Sequence, residues 1–109
     1  MNLQIENFDN LTEKILLISI IGTINSLQCK AISIEESEKF LFSPRMVRIL
    51  KNNKCNRKII ELIELCCELE DIISLIPNQF DSTLNKINEK AIDLLESYSE
   101  FNFDFWIKE

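Results

Sequence analysis

Helix-start signals recur along this chain, and they constrain its fold more than any other feature. Ser33 and Glu36 form a capping-box pair, with a serine before the helix and a glutamate three residues later. Ser43 and Pro44 place a cap residue before a proline at the first helical position. No glycine-rich linker interrupts these signals. They predict an all-α fold, in which residues 1–109 form a compact single-domain bundle of four to five helices.

The first helix is expected to lie at the centre of this bundle. Asn10 is its predicted cap, with Glu13 in the capping-box position, and it runs to about Gln28. The segment is apolar nearly all round, which is typical of a buried helix. A strand is the alternative for residues 15–24, because a short apolar run fits both structures.

Two further helices complete the predicted bundle. Asn56 is expected to cap the longest helix, which Pro77 ends. Asp81 or Ser82 is expected to cap the last helix. The inner face of that last helix is predicted to comprise Leu84, Ile87, Ala91, Leu94, Leu95 and Tyr98.

Two absences argue against catalysis. The chain has no histidine, the usual proton shuttle and a common metal ligand near neutral pH. It also has a single glycine, Gly22, whereas the loops that let a backbone approach a phosphate closely need several glycines. We therefore expect a protein that is not an enzyme and that uses no cofactor.

The four cysteines indicate reduced thiols in the cytoplasm. They show neither disulfide-type nor zinc-type spacing, and we expect no metal site. The start of the chain lacks the basic residues of a secretory signal. The apolar run of residues 15–24 is shorter than the roughly 20 residues that a membrane-spanning helix needs, so we expect no membrane association.

The long helix carries a continuous acidic surface, which we call the acidic ridge. Its members are Glu61, Glu64, Glu68 and Asp71. Such a ridge is either a solvated helix face or a surface that meets a basic partner. In the second case its clustered negative charges attract the partner and speed association. Only Arg57, at its start, is expected to neutralise it locally.

Glu70 is predicted to lie away from that ridge. A step of about 100° per residue along one uninterrupted helix places it inside the apolar arc. A carboxylate there is costly unless it is paired, so we expect a basic or hydroxyl partner. The favoured interpretation is a structural buried carboxylate, and the alternative is a site carboxylate with a raised pKa.

A basic segment precedes the ridge. Residues 45–58 contain six basic residues and no acid, so the rest of the chain carries −12 against a total charge of −6. One interpretation is a nucleic-acid-binding helix-turn-helix, although its second helix would present glutamates to the phosphates. The other is that these cations pair with the acids of the chain itself.

The C-terminal tail concentrates aromatic residues. Phe101, Phe103 and Phe105 alternate with polar residues and Trp106 follows, which predicts a short extended segment. The tail either closes the core or supplies aromatic anchors for a partner. As partner-binding candidates we take Phe103, Phe105 and Trp106 together with the acidic ridge.

Two segments carry a resemblance to known proteins. Residues 31–46 (AISIEESEKFLFSPRM) followed by 64–77 (ELCCELEDIISLIP) resemble a family of small uncharacterised bacterial proteins with a Glu-Leu-Glu-Asp-Ile…Ser-Leu-Ile-Pro segment. The resemblance implies a cytoplasmic, bacterial and helical protein, and it implies no activity. In general character the chain is also similar to immunity proteins, which neutralise a cognate toxin.

These observations favour a protein-binding module over an enzyme. The leading hypothesis is a cytoplasmic immunity protein that occludes the active site of a toxin, with a nuclease as the expected target. The alternative is a small nucleic-acid-binding or regulatory protein that uses residues 45–58. The sequence leaves the oligomeric state open.

Overall fold

Short turns join the α-helices that make up residues 9–100, the part of the chain that this computed structural model describes. The helices are α1 (Asn10–Gln28), α2 (Ile34–Phe40), α3 (Pro44–Asn52), α4 (Arg57–Cys66), α5 (Leu69–Leu75) and α6 (Phe80–Glu96), with a 3-10 turn at Pro77–Gln79. The described residues contain no β-strand. The all-α prediction is confirmed.

Helix α1 forms the centre of the core, and residues 15–24 are helical rather than extended. Its Leu17, Ile20 and Ile24 are completely buried. It runs antiparallel to α6, since Gln28 donates a 2.8 Å hydrogen bond to Asn85 at one end and Lys14 donates to the carbonyl of Ser99 at the other. The predicted inner face of α6 is confirmed, because its residues are buried or pack against this core.

Some of the predicted helix N-terminal caps are confirmed by the structure, and others are wrong. The hydroxyls of Ser33 and Ser43 and the side-chain oxygen of Asn56 each accept a backbone N–H at the start of a helix, as predicted. At α1 the cap is Asp9 rather than Asn10, because the Asp9 carboxylate accepts the N–H of Thr12. Helix α6 starts at Phe80, ahead of both predicted caps, and no side chain caps it.

The predicted long helix is divided in two. Helix α4 ends at Cys66, a turn follows at Cys67 and Glu68, and α5 starts at Leu69. The N–H of Glu68 donates to the carbonyl of Leu65, so the end of α4 tightens into a 3-10 turn. Neither glycine nor proline marks this point, so the sequence gives no local signal for the break.

Two lysines reverse the chain where glycine is the usual residue. Lys30, after α1, and Lys54, after α3, have φ values of 59° and 55°, which lie in the left-handed region. At the second reversal the N–H of Cys55 donates to the carbonyl of Leu50, which closes the end of α3. Lys30 and Lys54 therefore adopt the left-handed backbone conformation that glycine usually supplies, and the chain makes both reversals without a glycine at either position.

Within residues 9–100, no helix combines the length and the apolar character that crossing a bilayer requires.

Candidate functional site

All four side chains of the acidic ridge are exposed, but they do not lie on one helix. Glu61 and Glu64 lie on α4, Glu68 lies in the turn that follows, and Asp71 lies on α5. Glu64 and Glu68 both lie near the thiol of Cys67, whose pKa is raised by burial and further by the charges of Glu38, Glu64 and Glu68. The ridge is therefore divided between α4, the turn and α5, with Glu64 and Glu68 together beside Cys67.

Two cations reduce the charge of this surface. Arg57 lies 3.5 Å from Glu61, one helical turn away, and Lys51 of α3 lies 3.9 Å from Glu64. The expectation that Arg57 alone neutralises the ridge was wrong, because α3 packs beside α4 and brings Lys51 within reach. Both pairs are at least half exposed, so each is weak and can exchange for a partner's cations. Glu68 and Asp71 form no ion pair within residues 9–100.

A groove opens beside Glu61, between α4 and α6. Its volume is about 430 Å³, and its apolar walls are Leu62, Leu65 and Leu94. Its charged residues are two lysines and two acids, namely Lys58, Glu61, Lys90 and Asp93. The groove therefore offers an apolar contact next to the acidic ridge, with no net charge of its own.

The six cations of the basic segment are all exposed. Arg45 and Arg48 lie on α3, one turn apart, and neither forms an ion pair with any residue from 9 to 100. Of the six cations, only Lys51 and Arg57 pair with an acid of the described range. Pairing with the chain's own acids therefore accounts for two of the six.

Glu70 is not buried, contrary to the prediction. Its side chain is exposed on α5, because the turn at Cys67 and Glu68 resets the helical phase on which the prediction depended. It lies beside Glu38 of α2, whose pKa is raised by burial and then by the charge of Glu70. One carboxylate oxygen of Glu38 is buried without a hydrogen-bond partner. The structure thus brings together two carboxylates that the sequence did not connect.

The buried carboxylate of the fold is Glu13. It is the one charged residue among the described residues that is buried, with 7% of its surface exposed. Its Oε1 accepts a 2.8 Å hydrogen bond from the hydroxyl of Tyr98, and its Oε2 accepts a 2.6 Å bond from the backbone N–H of Asn56. The amide of Asn56 also donates to the Tyr98 oxygen at 3.1 Å.

This network joins three parts of the chain. Glu13 lies in the first turn of α1, Asn56 caps α4 and Tyr98 follows α6. The carboxylate lies at the N-terminus of α4, where helix polarity favours a negative charge. A signal for it was present, because Glu13 precedes Leu16, Leu17 and Ile20 at spacings that place it on the core-facing side of α1.

Burial and the Glu13 network change the acidity of two neighbours. Burial, and then the hydrogen bond to Glu13, raise the pKa of Tyr98 to about 12. Burial, and then the charge of Glu13, raise the pKa of the Cys55 thiol to about 12. Both groups stay neutral at physiological pH, and neither is an activated nucleophile.

The cysteines are free thiols, two buried, one half-buried and one exposed. Burial raises the pKa of Cys66, as it does that of Cys55. Across residues 9–100, no three cysteine, aspartate or glutamate side chains come close enough together to hold a metal ion. The aromatic candidates Phe103, Phe105 and Trp106 lie outside the described residues.

Comparison with known proteins identifies the family and leaves its activity open. No curated protein and no solved structure matches the chain. Residues 7–108 match a family described as "Protein of unknown function (DUF3969)". This match covers nearly the whole chain, and the protein therefore belongs to that family.

Proposed function

We propose that this protein is a non-enzymatic binding module whose acidic ridge meets a basic protein partner. The observation that carries the proposal is that Glu61, Glu64, Glu68 and Asp71 are all exposed, with Glu61 at the edge of a groove that has apolar walls. An interface needs both parts, since apolar contacts supply affinity and surrounding charges supply specificity and speed.

The specific role that we propose is immunity to a toxin in the bacterial cytoplasm. A nuclease binds a polyanion through a basic cleft, and a row of carboxylates on a helical surface offers similar charge to such a cleft. The ridge would occupy the cleft and exclude the substrate without any chemistry. The aromatic residues Phe103, Phe105 and Trp106 are proposed as additional anchors for the partner.

The state of the thiols supports a role without catalysis. A cysteine nucleophile needs a lowered pKa, and the pKa values of Cys55, Cys66 and Cys67 are all raised by burial. The chain has no histidine to activate a hydroxyl or a thiol. The remaining candidates for function are the acidic ridge and the groove beside it, and exposed surfaces of this kind are suited to binding.

One observation favours a second candidate, which is binding of nucleic acid by residues 45–58. Arg45, Arg48, Lys54 and Lys58 are exposed and form no ion pair with another residue of the described range. Phosphate contacts of this kind need cations on one face without acids nearby. Glu61 and Glu64 pair with Arg57 and Lys51 of the same segment, and their repulsion of phosphates makes this the weaker candidate.

A protection assay in cells separates the two candidates. The chain is co-expressed with the C-terminal domain encoded by the adjacent upstream gene, whose product the proposal predicts to be a secreted toxin. We expect protection by the wild type and by an Arg45→Glu/Arg48→Glu variant, and loss of protection when Glu61, Glu64 and Glu68 are changed to Lys. The opposite pattern would contradict the proposal and would favour nucleic acid.

A further inference from the structure

A cavity of about 640 Å³ lies at the other end of the molecule from the groove beside Glu61 that opens between α4 and α6. It opens to solvent and is bounded by the end of α1, the segment leading into α2, helix α5 and the start of α6. Its apolar lining consists of Leu27, Ile32, Ile34, Ile73 and Phe80. This volume can hold a large apolar side chain.

The rim of the cavity is acidic. Glu35, Glu70 and Asp81 lie along it, against the single cation Lys30. None of the three carboxylates forms an ion pair with another residue of the range 9–100. Behind Glu70, one oxygen of Glu38 is buried and accepts no hydrogen bond. Carboxylate oxygens therefore exceed the donors that this part of the molecule supplies.

Apolar surface is exposed next to this rim. Ile73, which lines the cavity, is 40% exposed, and Leu75 at the end of α5 is 79% exposed. Leu75 lies two residues after Ile73 and faces away from it on the helix, so it is the exposed part of Ile73 itself that has a polar rim, as is typical of an interaction site. Helix α5 thus presents apolar side chains and unpaired carboxylates together.

We propose that this cavity receives an apolar side chain of a protein partner, flanked in the partner's sequence by lysine or arginine. The apolar lining accepts the anchor, and Glu35, Glu70 and Asp81 accept the flanking cations. The inference rests on the proposed function in that the partner is a basic protein, but it uses a surface that is separate from the acidic ridge.

The protein's own terminal segments are poor occupants. Residues 9 and 100 lie near the start of α1, where Lys14 binds the carbonyl of Ser99, whereas the cavity lies beside Gln28. These points are about 20 Å apart, which an extended segment of eight or nine residues can span, so the charge of each segment decides its fit to the rim. Residues 1–8 contain one acid and no basic side chain, and residues 101–109 contain two acids and one lysine. Neither segment carries the excess of cations that the rim requires.

Peptide titration tests the proposal. The probe is a capped amphipathic peptide of leucine and lysine, and the control peptide has glutamate in place of each lysine. Ser74→Trp fills the cavity, while Ser97→Trp, at an equally exposed serine, lines the other groove instead. At physiological salt, we expect the lysine peptide to bind the wild type and the Ser97→Trp variant and not to bind the Ser74→Trp variant. The control peptide should not bind any of the three proteins.

A second variant keeps the test independent of the bulky substitution. Glu70→Gln/Asp81→Asn should weaken binding of the lysine peptide about fivefold, and Glu89→Gln/Glu96→Gln, at exposed acids outside the cavity and the acidic ridge, should leave it unchanged. Equal binding by the wild type and Ser74→Trp, or equal losses from both double variants, would overturn the inference. A concentration-dependent dimer that Ser74→Trp dissociates would also overturn it, since a second copy would then occupy the cavity.

The two proposals fail separately. If cavity variants leave peptide binding unchanged while reversal of Glu61, Glu64 and Glu68 abolishes toxin protection, the cavity proposal is wrong and the proposed function stands. If the peptide binds in the cavity and the ridge reversal leaves protection intact, the acidic ridge is not the surface that protects.

Discussion

At the scale of single residues, Glu13 has the largest structural role of any charged side chain among residues 9–100. It accepts hydrogen bonds from Tyr98 and from the backbone of Asn56, so one carboxylate connects α1, α4 and the end of α6. Glu70, which the sequence pattern placed in the core, is exposed. The contrast between these two glutamates can be measured.

Glu13→Ala should lower the free energy of unfolding by about 2–4 kcal/mol, because it leaves the donors of Tyr98 and Asn56 without an acceptor in a buried site. Glu70→Ala is the matched control and should change it by roughly 0–1 kcal/mol, as exposed charges do. Urea denaturation at pH 7 measures both. Equal losses from the two variants would contradict the assignment of Glu13 as the carboxylate that joins the helices.

Tyr98 is the chain's single tyrosine, so absorbance near 295 nm reports its ionisation alone. With its pKa raised to about 12, Tyr98 should be almost un-ionised in the folded protein at pH 10.5. In the chain unfolded in urea, the same side chain should be about three quarters ionised at that pH. Since the folded pKa lies above the unfolded one, the contribution of Tyr98 to stability is complete below pH 10 and is lost between pH 10 and 12. A titration midpoint near 10 in the folded protein would contradict this environment.

At the scale of elements, the helix starts were the most predictable feature and the helix break was the least. Ser33, Ser43 and Asn56 were correctly identified as caps because capping depends on a few consecutive residues. The turn at Cys67 and Glu68 depends on tertiary packing, since no glycine or proline marks it. The error at Glu70 follows from this missed turn.

The candidate site was predictable to a similar extent. The exposure of Glu61 and Glu64 follows from helical periodicity within α4, whereas the predicted continuation of the ridge to Glu68 and Asp71 assumed one uninterrupted helix. The position of Glu38 beside Glu70 depends on how α2 packs against α5, and the pairing of Lys51 with Glu64 depends on how α3 packs against α4. No local pattern in the sequence encodes these contacts.

The start of α1 gives a prediction for a matched pair of neighbouring residues. Asp9→Ala should destabilise the protein by about 1 kcal/mol at pH 7, and Asn10→Ala by less than about 0.5 kcal/mol, because Asp9 accepts the Thr12 N–H. That hydrogen bond lowers the pKa of Asp9, so its contribution to stability is present above the ordinary pKa of 3.8 and is lost as the pH falls. Thermal denaturation at pH 7 and pH 3 measures the difference, and a larger effect of Asn10→Ala would contradict the assigned cap.

At the scale of the whole molecule, opposite charges lie on adjacent helices. The cations of α3 and the acids of α4 meet at the contact between Lys51 and Glu64, while Glu68 and Asp71 extend the acidic surface onto α5 without ion pairs in the described range. Such a surface attracts a basic partner from a distance and orients it on approach. The proposed function therefore predicts an association rate that depends on salt.

The proposal predicts that the adjacent upstream gene encodes the toxin, and the rate of association with the domain that this gene encodes tests this claim most directly. Stopped-flow measurements at low and physiological salt compare the wild type with the variant in which Glu61, Glu64 and Glu68 are lysines. We predict that the variant folds normally, associates at least about tenfold more slowly at low salt and loses the salt dependence. An unchanged rate with an unchanged salt dependence would contradict the account, because the acidic ridge would then make no contribution to meeting the partner.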